Sequence, residues 1–447
     1  MSQDHATART LPAESPPRRF ALGNHPLGFW FIFWGEFAER SSYYGMRTIL
    51  LLYMIQRLGF REGHASFVMH GFMAACYLLP LVGGYLADNY FGKYRTIVAF
   101  SIPYVLGHVI LGIQSVPYLI LALALLAMGS GVIKPNISTL MGMTYDQRRP
   151  GQTRLRSDAF AIFYGAINLG AAISSFAMPW LRDRYGYAIA FLFPAVLMTL
   201  ALAAFAGGKR FYAVEHVGRV RLTAEDRRQR LQFLCRILGL FAVVAFFWSI
   251  FDQSASTWTL FATDHLDLPT VFGWKLAPDS IQALNPVLIL ILLPPITLAW
   301  HGLARLGCPL RPTDKMVIGF VLTGITMALM AVAGFRAGDA GHVSVLWEVI
   351  SYVLITAAEI CISVVGLELA FSLAPAALKS FVTACWLLTV FVGDLLNMAI
   401  TPFYGAKLPL AGVTVRPGPY FALFAVATIP VALGFVWIAK EFNREPG

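Results

Sequence analysis

Residues 36–47, Glu-Phe-Ala-Glu-Arg-Ser-Ser-Tyr-Tyr-Gly-Met-Arg, set four ionisable side chains inside an apolar run from Pro26 to Met54. On a helix, Glu36, Arg40, Tyr43 and Arg47 fall within about 60° of one another, flanked by Glu39 and Tyr44. A charge at bilayer depth costs roughly 2.5–3.5 kcal/mol on insertion scales, so such a stripe requires a wet, paired interior and marks a substrate or ion pathway. Other expensive residues lie further along: Lys134 before Pro135 and Asn136, Asn168, Asp252 and Gln253 beside Trp248, Asn285 before Pro286, Glu359, Glu368 and Asp394. His70 and Tyr77, seven apart, share one helix face. Set against Arg40, Arg47 and Lys134, the acids Glu36, Glu39, Asp252 and Glu359 leave one carboxyl in excess, and an unpaired dry carboxyl can carry a proton. No Ser/His/Asp arrangement, Cys/His pair or His-Glu-x-x-His spacing accompanies them, so neither an enzyme nor a cofactor or metal site is expected.

The chain that must position these groups is 57% hydrophobic and 13% charged, against about 25% charged in soluble domains, with a mean hydropathy of +0.65. Apolar stretches near 27–57, 65–87, 96–114, 117–142, 158–179, 187–207, 233–262, 281–304, 316–335, 343–374, 377–401 and 418–439 predict an all-α polytopic membrane protein of twelve transmembrane helices. Assigning the N-terminus to the cytoplasm puts 23 Lys and Arg on that side and eight on the other, which predicts cytoplasmic N- and C-termini in the plasma membrane, the inner membrane of a prokaryote. The net charge of +10 then reflects orientation against an anionic leaflet, not nucleic-acid binding. Residues 1–25 are polar, with no apolar core of a cleavable leader. The cysteines (Cys76, Cys235, Cys308, Cys361, Cys385) form no spaced pair, so no disulfide framework is expected. Residues 208–232 form a basic linker between an N-terminal bundle, 26–207, and a C-terminal bundle, 233–440; residues 1–25 and 441–447 are tails. Twelve helices in two halves about a basic central loop give the layout of the major facilitator superfamily, whose sites lie at the midplane between halves.

Several segments extend this to a family. Glu36-x-x-Glu39-Arg40-x-x-Tyr43-Tyr44-Gly45 resembles the first-span signature of proton-dependent oligopeptide transporters. Gly83-Gly84 through Asp88, Gly92-Lys93, Arg95 and Ile97 resembles their loop after span two. Lys134-Pro135-Asn136 with Ser138, Phe163-Tyr164-x-x-Ile167-Asn168-x-Gly170, and Phe247-Trp248 with Asp252-Gln253, Ser256 and Trp258-Thr259-Leu260 continue the match. Asn285-Pro286, Glu359 with Ser363 and Gly366-Leu367, and Trp386 complete it, in order, over about 25–400.

The resemblance implies roles. Glu36, Glu39 and Arg40 form a proton-linked cluster, with Asp252, Glu359 and His70 sharing in coupling. Lys134 pairs with Glu359, and Arg47 with Asp252, as gates between the halves. Arg47 and Lys134 attract a peptide's carboxylate; Glu359, Asn168 and Asn285 receive its amino group. Tyr43, Tyr44, Tyr77, Tyr164, Trp248 and Trp386 line side-chain pockets, with Ser363 beside them. The expected activity is proton-coupled symport of di- and tripeptides by a functional monomer, with membrane lipid around it. The alternative is another small solute, such as nitrate, a modified amino acid or a peptide-like drug. A sensor or intramembrane hydrolase has no supporting motif. The chain departs from the family pattern at Ser41 (usually Phe), at Asp252, a shorter acid than the usual Glu, at Thr383-Ala384, and at Val364, where loss of a proline predicts a less bent gating helix. Its central loop is also too short for the two extra helices of many bacterial members. Glu368 and Asp394 match no motif, and helix packing or a water-filled rim, rather than coupling, is the expectation for both; the Asp88, Lys93 and Arg95 loop reads as a cytoplasmic latch.

Overall fold

The computed structural model describes residues 22–215, 217, 223–271, 273–367, 369, 379–407 and 414–444. Glu368 lies outside them. The main helices are α1 (Leu27–Gln56), α2 (Glu62–Leu86), α3 (Lys93–Leu111), α4 (Val116–Arg148), α5 (Thr153–Tyr185) and α6 (Tyr187–Gly207). After the linker come α7 (Ala224–Phe251), α8 (Thr257–His265), α9 (Leu284–Arg305), α10 (Pro312–Ala337), α11 (Leu346–Glu359), α12 (Lys379–Ile400) and α13 (Pro417–Arg444). Eleven spans among the described residues are long and apolar enough to cross a membrane, α7 and α8 together supplying one of them. The 30-residue α1 is equally long and differs by its buried charges, which brings the spans to twelve. The protein is an all-α polytopic membrane protein.

Two departures from the expected boundaries have local causes. Helix α7 begins at Ala224, well before the expected 233, because Thr223 and Asp226 form a reciprocal capping box over a run of good helix formers. In the tenth span, α11 runs directly into a π-helical turn, Ile360–Val364, so the helix is irregular beside Glu359 even without a proline. The missing proline therefore does not leave a regular helix. Such an inserted residue is itself a recognised cause of a kink.

Among the first six helices, α3 packs on α4 and α6, α2 on α4, and α1 on α5 and α6; among the later ones, α10 packs on α11 and α13, α9 on α11, and α7 on α12 and α13. Close approach is possible at Gly83 of α2, where an added Cβ would lie 2.7 Å from the Val132 Cα of α4. Between the two groups, α2 meets α12, while α5 meets α9 and a 3-10 turn, Pro278–Ala283. Short β pairs cover this end: Leu266–Asp267 with Val343–Ser344, parallel, and Thr270–Val271 with Trp274–Lys275, antiparallel. At the opposite end, Lys93 pairs with Asp88. The Glu215 carboxylate from the linker also accepts from the Tyr94 amide at 2.8 Å and from the Lys93 amide, capping α3. Exposed Leu200, Leu298, Leu433 and Trp437 belong to the apolar outer surface.

Candidate substrate and proton site

Burial forces the charges of α1 into pairs. Arg40 Nε donates to Glu36 Oε1 at 2.9 Å, one turn away. Its NH2 stands 2.6 Å from Glu39 Oε2, a close ion pair rather than a directed hydrogen bond. The other Glu39 oxygen accepts from Ser130 Oγ of α4 at 2.7 Å. One guanidinium thus holds two carboxylates, all three side chains nearly dry. Glu36 Oε2 has no hydrogen-bond partner among the described residues.

Two turns further on, Arg47 NH1 is 3.8 Å from Asp252 Oδ1 and its guanidinium lies 5.2 Å from the Tyr44 ring centre. The expected pair is present at the edge of contact, as the shorter acid implies. Asp252 opens a 3-10 turn, Asp252–Ala255, that interrupts the seventh span. Helix breaks of this kind are tolerated at bilayer depth where they line a cavity.

The expected Lys134–Glu359 pair is not made in this conformation. Lys134 Nζ sits 4.3 Å from the Tyr43 ring centre and 4.6 Å from that of Tyr77, so ring faces satisfy the cation. Glu359 Oε2 instead accepts from Asn285 Nδ2 at 2.8 Å, and Asn285 also reaches Thr356 Oγ1 at 3.2 Å.

Between these groups lies a cavity of about 180 Å3. Its walls include Tyr44, Arg47, Tyr77, Tyr164, Asn168, Trp248, Asp252, Asn285, Glu359 and Ser363, all expected from sequence. Tyr43 and Lys134 are not on that wall; they pack behind it, ring against ammonium. Trp386 is corrected: it is buried, 6.0 Å from the Phe241 ring and against Gly366, because α12 turns that face toward α7 rather than the cavity. Gln282 was missed; it lines the cavity and donates to Thr259 Oγ1 at 3.2 Å and to the Thr48 carbonyl at 3.4 Å, tying α8 to α1.

His70 and Asp394 change most relative to expectation. Both are fully buried, and His70 Nδ1 lies 2.9 Å from Asp394 Oδ1 while Nε2 lies 2.8 Å from Ser256 Oγ. Asp394 therefore has an ionisable hydrogen-bond partner, not just packing. Above the cavity, where α5 meets the Pro278–Ala283 turn, Arg182 NH1 pairs with fully buried Asp279, and its Nε donates to the more exposed Asp183 at 2.9 Å. Trp274 Nε1 donates to Asp183 at 3.1 Å. Among the described residues no group of three or more His, Cys, Asp or Glu could hold a metal ion.

The model of the POT family matches residues 94–228 and 213–409. The chain belongs to the POT family. Solute carrier family 15 member 2 of Mus musculus is 33% identical over 74% of this chain and 52% of its own length. Peptide transporter family 1 of Drosophila melanogaster is 34% identical over 69% of this chain and 47% of its own. The chain thus spans about half the length of the curated POT relatives it matches. Among solved POT structures, the transporter PepTSo is 29% identical with a TM-score of 0.84, covering 94% of this chain and 99% of that one. A peptide transporter POT in complex with sulfate is 27% identical with a TM-score of 0.83, covering 96% and 97%. POT family proteins are membrane transporters, not enzymes, and this chain carries the family's fold over nearly all of its length.

Proposed function

We propose that this POT family member is a proton-coupled symporter of di- and tripeptides. The observation that carries the reading is the charge layout of the cavity. Arg47 stands on one wall and Glu359, with Asn285, on another, so a zwitterion's carboxylate and amino group each meet an opposite charge. Arginine suits carboxylate capture because its fork can bind both oxygens. Tyr44, Tyr77, Tyr164 and Trp248 supply aromatic walls without a fixed polar demand, which suits variable side chains. Relatives named as peptide transporters support the same class of cargo.

The cavity is narrow in this conformation. At ~30 Å3 per water it holds roughly six waters, below the ~300–1,000 Å3 of typical ligand pockets. Admission of a peptide therefore requires the walls to separate. In the proposed cycle the two groups of six helices, 26–207 and 233–440, rock about the cavity, with termini and linker cytoplasmic. Arg182–Asp279 closes the outer side, and Arg47–Asp252 and Lys134–Glu359 are gates made and broken in turn. Protons enter through the imbalance of charge. Arg40, Arg47 and Lys134 face Glu36, Glu39, Asp252, Glu359 and, now, Asp394, so neutrality in the dry interior needs protons on this set. Protonation that frees Arg40 or Arg47 from its acid makes gate opening and carboxylate capture share one switch. The protein is expected to act as a monomer in the plasma membrane.

The test is uptake of a labelled dipeptide into proteoliposomes with and without an inward proton gradient. Accumulation above the external concentration only with the gradient supports the reading; no competition by unlabelled di- or tripeptides, with nitrate or an amino-acid analogue competing instead, moves the cargo to the other small solutes.

A further inference from the structure

Asp394 belongs neither to the Arg40 cluster nor to the cavity wall, yet it is a fully buried carboxyl on α12 facing a fully buried imidazole on α2. Its Oδ1 lies 2.9 Å from His70 Nδ1, while Oδ2 has no hydrogen-bond partner among the described residues. On the far side of the ring, Nε2 is 2.8 Å from Ser256 Oγ, and that hydroxyl also reaches the Gln253 carbonyl at 3.4 Å. Helix α2 lies in the first group of six; Asp394 and Ser256 lie in the second.

Counting protons fixes what this contact can do. A hydrogen bond between Nδ1 and Oδ1 needs one proton between them. With Ser256 donating to Gln253, Nε2 must donate to Ser256, and the His70–Asp394 pair is then neutral overall: imidazolium with carboxylate, or imidazole with carboxylic acid. With Ser256 donating to Nε2 instead, the pair carries one net negative charge, which is costly without water or a counter-ion. The charged and titratable groups facing the pair are Arg47 of α1, Cys76 and Tyr77 of α2, Lys134 of α4 and Asp252 of the turn after α7. Both cations are engaged elsewhere, Arg47 by Asp252 and Lys134 by two tyrosine rings. The neutral, proton-bearing pair is the one this site favours.

We propose that Asp394 is a proton-coupling residue: with His70 it holds one proton that bonds α2 to α12 across the two groups of helices. When the proton leaves to entering water, the pair is left with one net negative charge: a bare Nδ1 faces the carboxylate unless Ser256 turns from Gln253 to donate to Nε2. Either way the dry contact holds an unbalanced charge, which draws water between α2 and α12 and weakens their junction. This rests on the symport reading and adds to it a proton position remote from Glu36, Glu39 and Arg40.

Two measurements on the full chain test it separately from that reading. The first needs no substrate: nitrogen and proton magnetic resonance of His70 in lipid at slightly acid pH, with its ring signals assigned by their loss in His70→Gln. A strongly deshielded proton bridging Nδ1 and the facing carboxyl oxygen, with a second proton on Nε2, lost in Asp394→Asn, is the expected result; no bridging proton in the wild type, or the same spectrum in Asp394→Asn, overturns the proposal. The second is the number of protons moved per dipeptide, from the voltage of zero net flux in proteoliposomes. Asp394→Asn should lower it and flatten the pH profile of uptake, with Asp394→Glu restoring both toward wild type. Unchanged stoichiometry and profile in Asp394→Asn refute a coupling role and leave helix packing. Should Asp394→Asn not fold, the wild-type and His70→Gln spectra still decide whether a proton bridges the pair. A wild type that moves no peptide while the bridging proton is seen and is lost in Asp394→Asn refutes the peptide reading alone.

Discussion

Replacing Arg182 by alanine should open the outer side of the protein. In the closed arrangement Asp279 is fully buried and Arg182 is its ion-pair partner. Removing one member of a buried pair typically costs about 3–5 kcal/mol, because the remaining charge stays dry and alone. The second contact of Arg182, with the half-exposed Asp183, adds little in water. Opening the outer mouth returns Asp279 to water, so most of that cost falls on the closed state only. At 1.4 kcal/mol per factor of ten, a 3 kcal/mol bias raises the open-to-closed ratio roughly 100-fold. A protein closed outside at about 99:1 would become nearly evenly divided. Spin labels at the exposed positions Arg184 and Lys275 report this as a second, longer distance population in lipid nanodiscs. The double variant Arg182→Ala, Asp279→Ala leaves no orphan charge and should recover much of the closed population. An unchanged distance distribution in the single variant would falsify the latch, as would a double variant no better than the single one.

Glu39→Gln should cut gradient-driven accumulation about 5–150-fold relative to counterflow exchange, the usual span of a coupling free energy; equal loss of both removes Glu39 from coupling. Arg47→Ala should weaken peptides with a free carboxylate roughly 10- to 150-fold more than their amides, from ~1.5–3 kcal/mol of charged hydrogen bonding. Competition assays giving equal losses would rule out carboxylate capture. Gly83→Ala drives a Cβ to 2.7 Å from the Val132 backbone and should cost about 1–3 kcal/mol, read as a lower thermal midpoint in detergent. An unshifted midpoint would mean that α2 and α4 can part freely.

The helices were legible because hydropathy needs only local sequence, and the charges of α1 were legible because they are anomalies in that local signal. The break at Asp252 was visible for the same reason. Contacts across the chain were not. His70 and Asp394 are 324 positions apart, and a lone aspartate in an apolar span gives no address for its partner. Trp386 fitted the family pattern, yet the rotation of α12 against α7 and Phe241 decides which face it presents. The expected Lys134–Glu359 pair is not made in the structure, because tyrosine rings hold the ammonium and Asn285 holds the carboxylate, a competition that residue types alone do not rank. Val364 shows the limit of a residue-by-residue argument. Removing a proline deletes one cause of irregularity, but the turn at Ile360–Val364 supplies another.

That turn lets the tenth span change length in place. A π-helical turn holds one residue more than the α-helical turn it interrupts. Converting it to regular α-helix would rotate everything before it by about 100° and shift it by about 1.5 Å relative to everything after it. Glu359 is the residue immediately before the turn and Ser363 lies within it. A single register step would therefore swing the Glu359 carboxylate off Asn285 while the rest of α11 slides by less than half a turn. Such a step would advance the acid without unfolding the span.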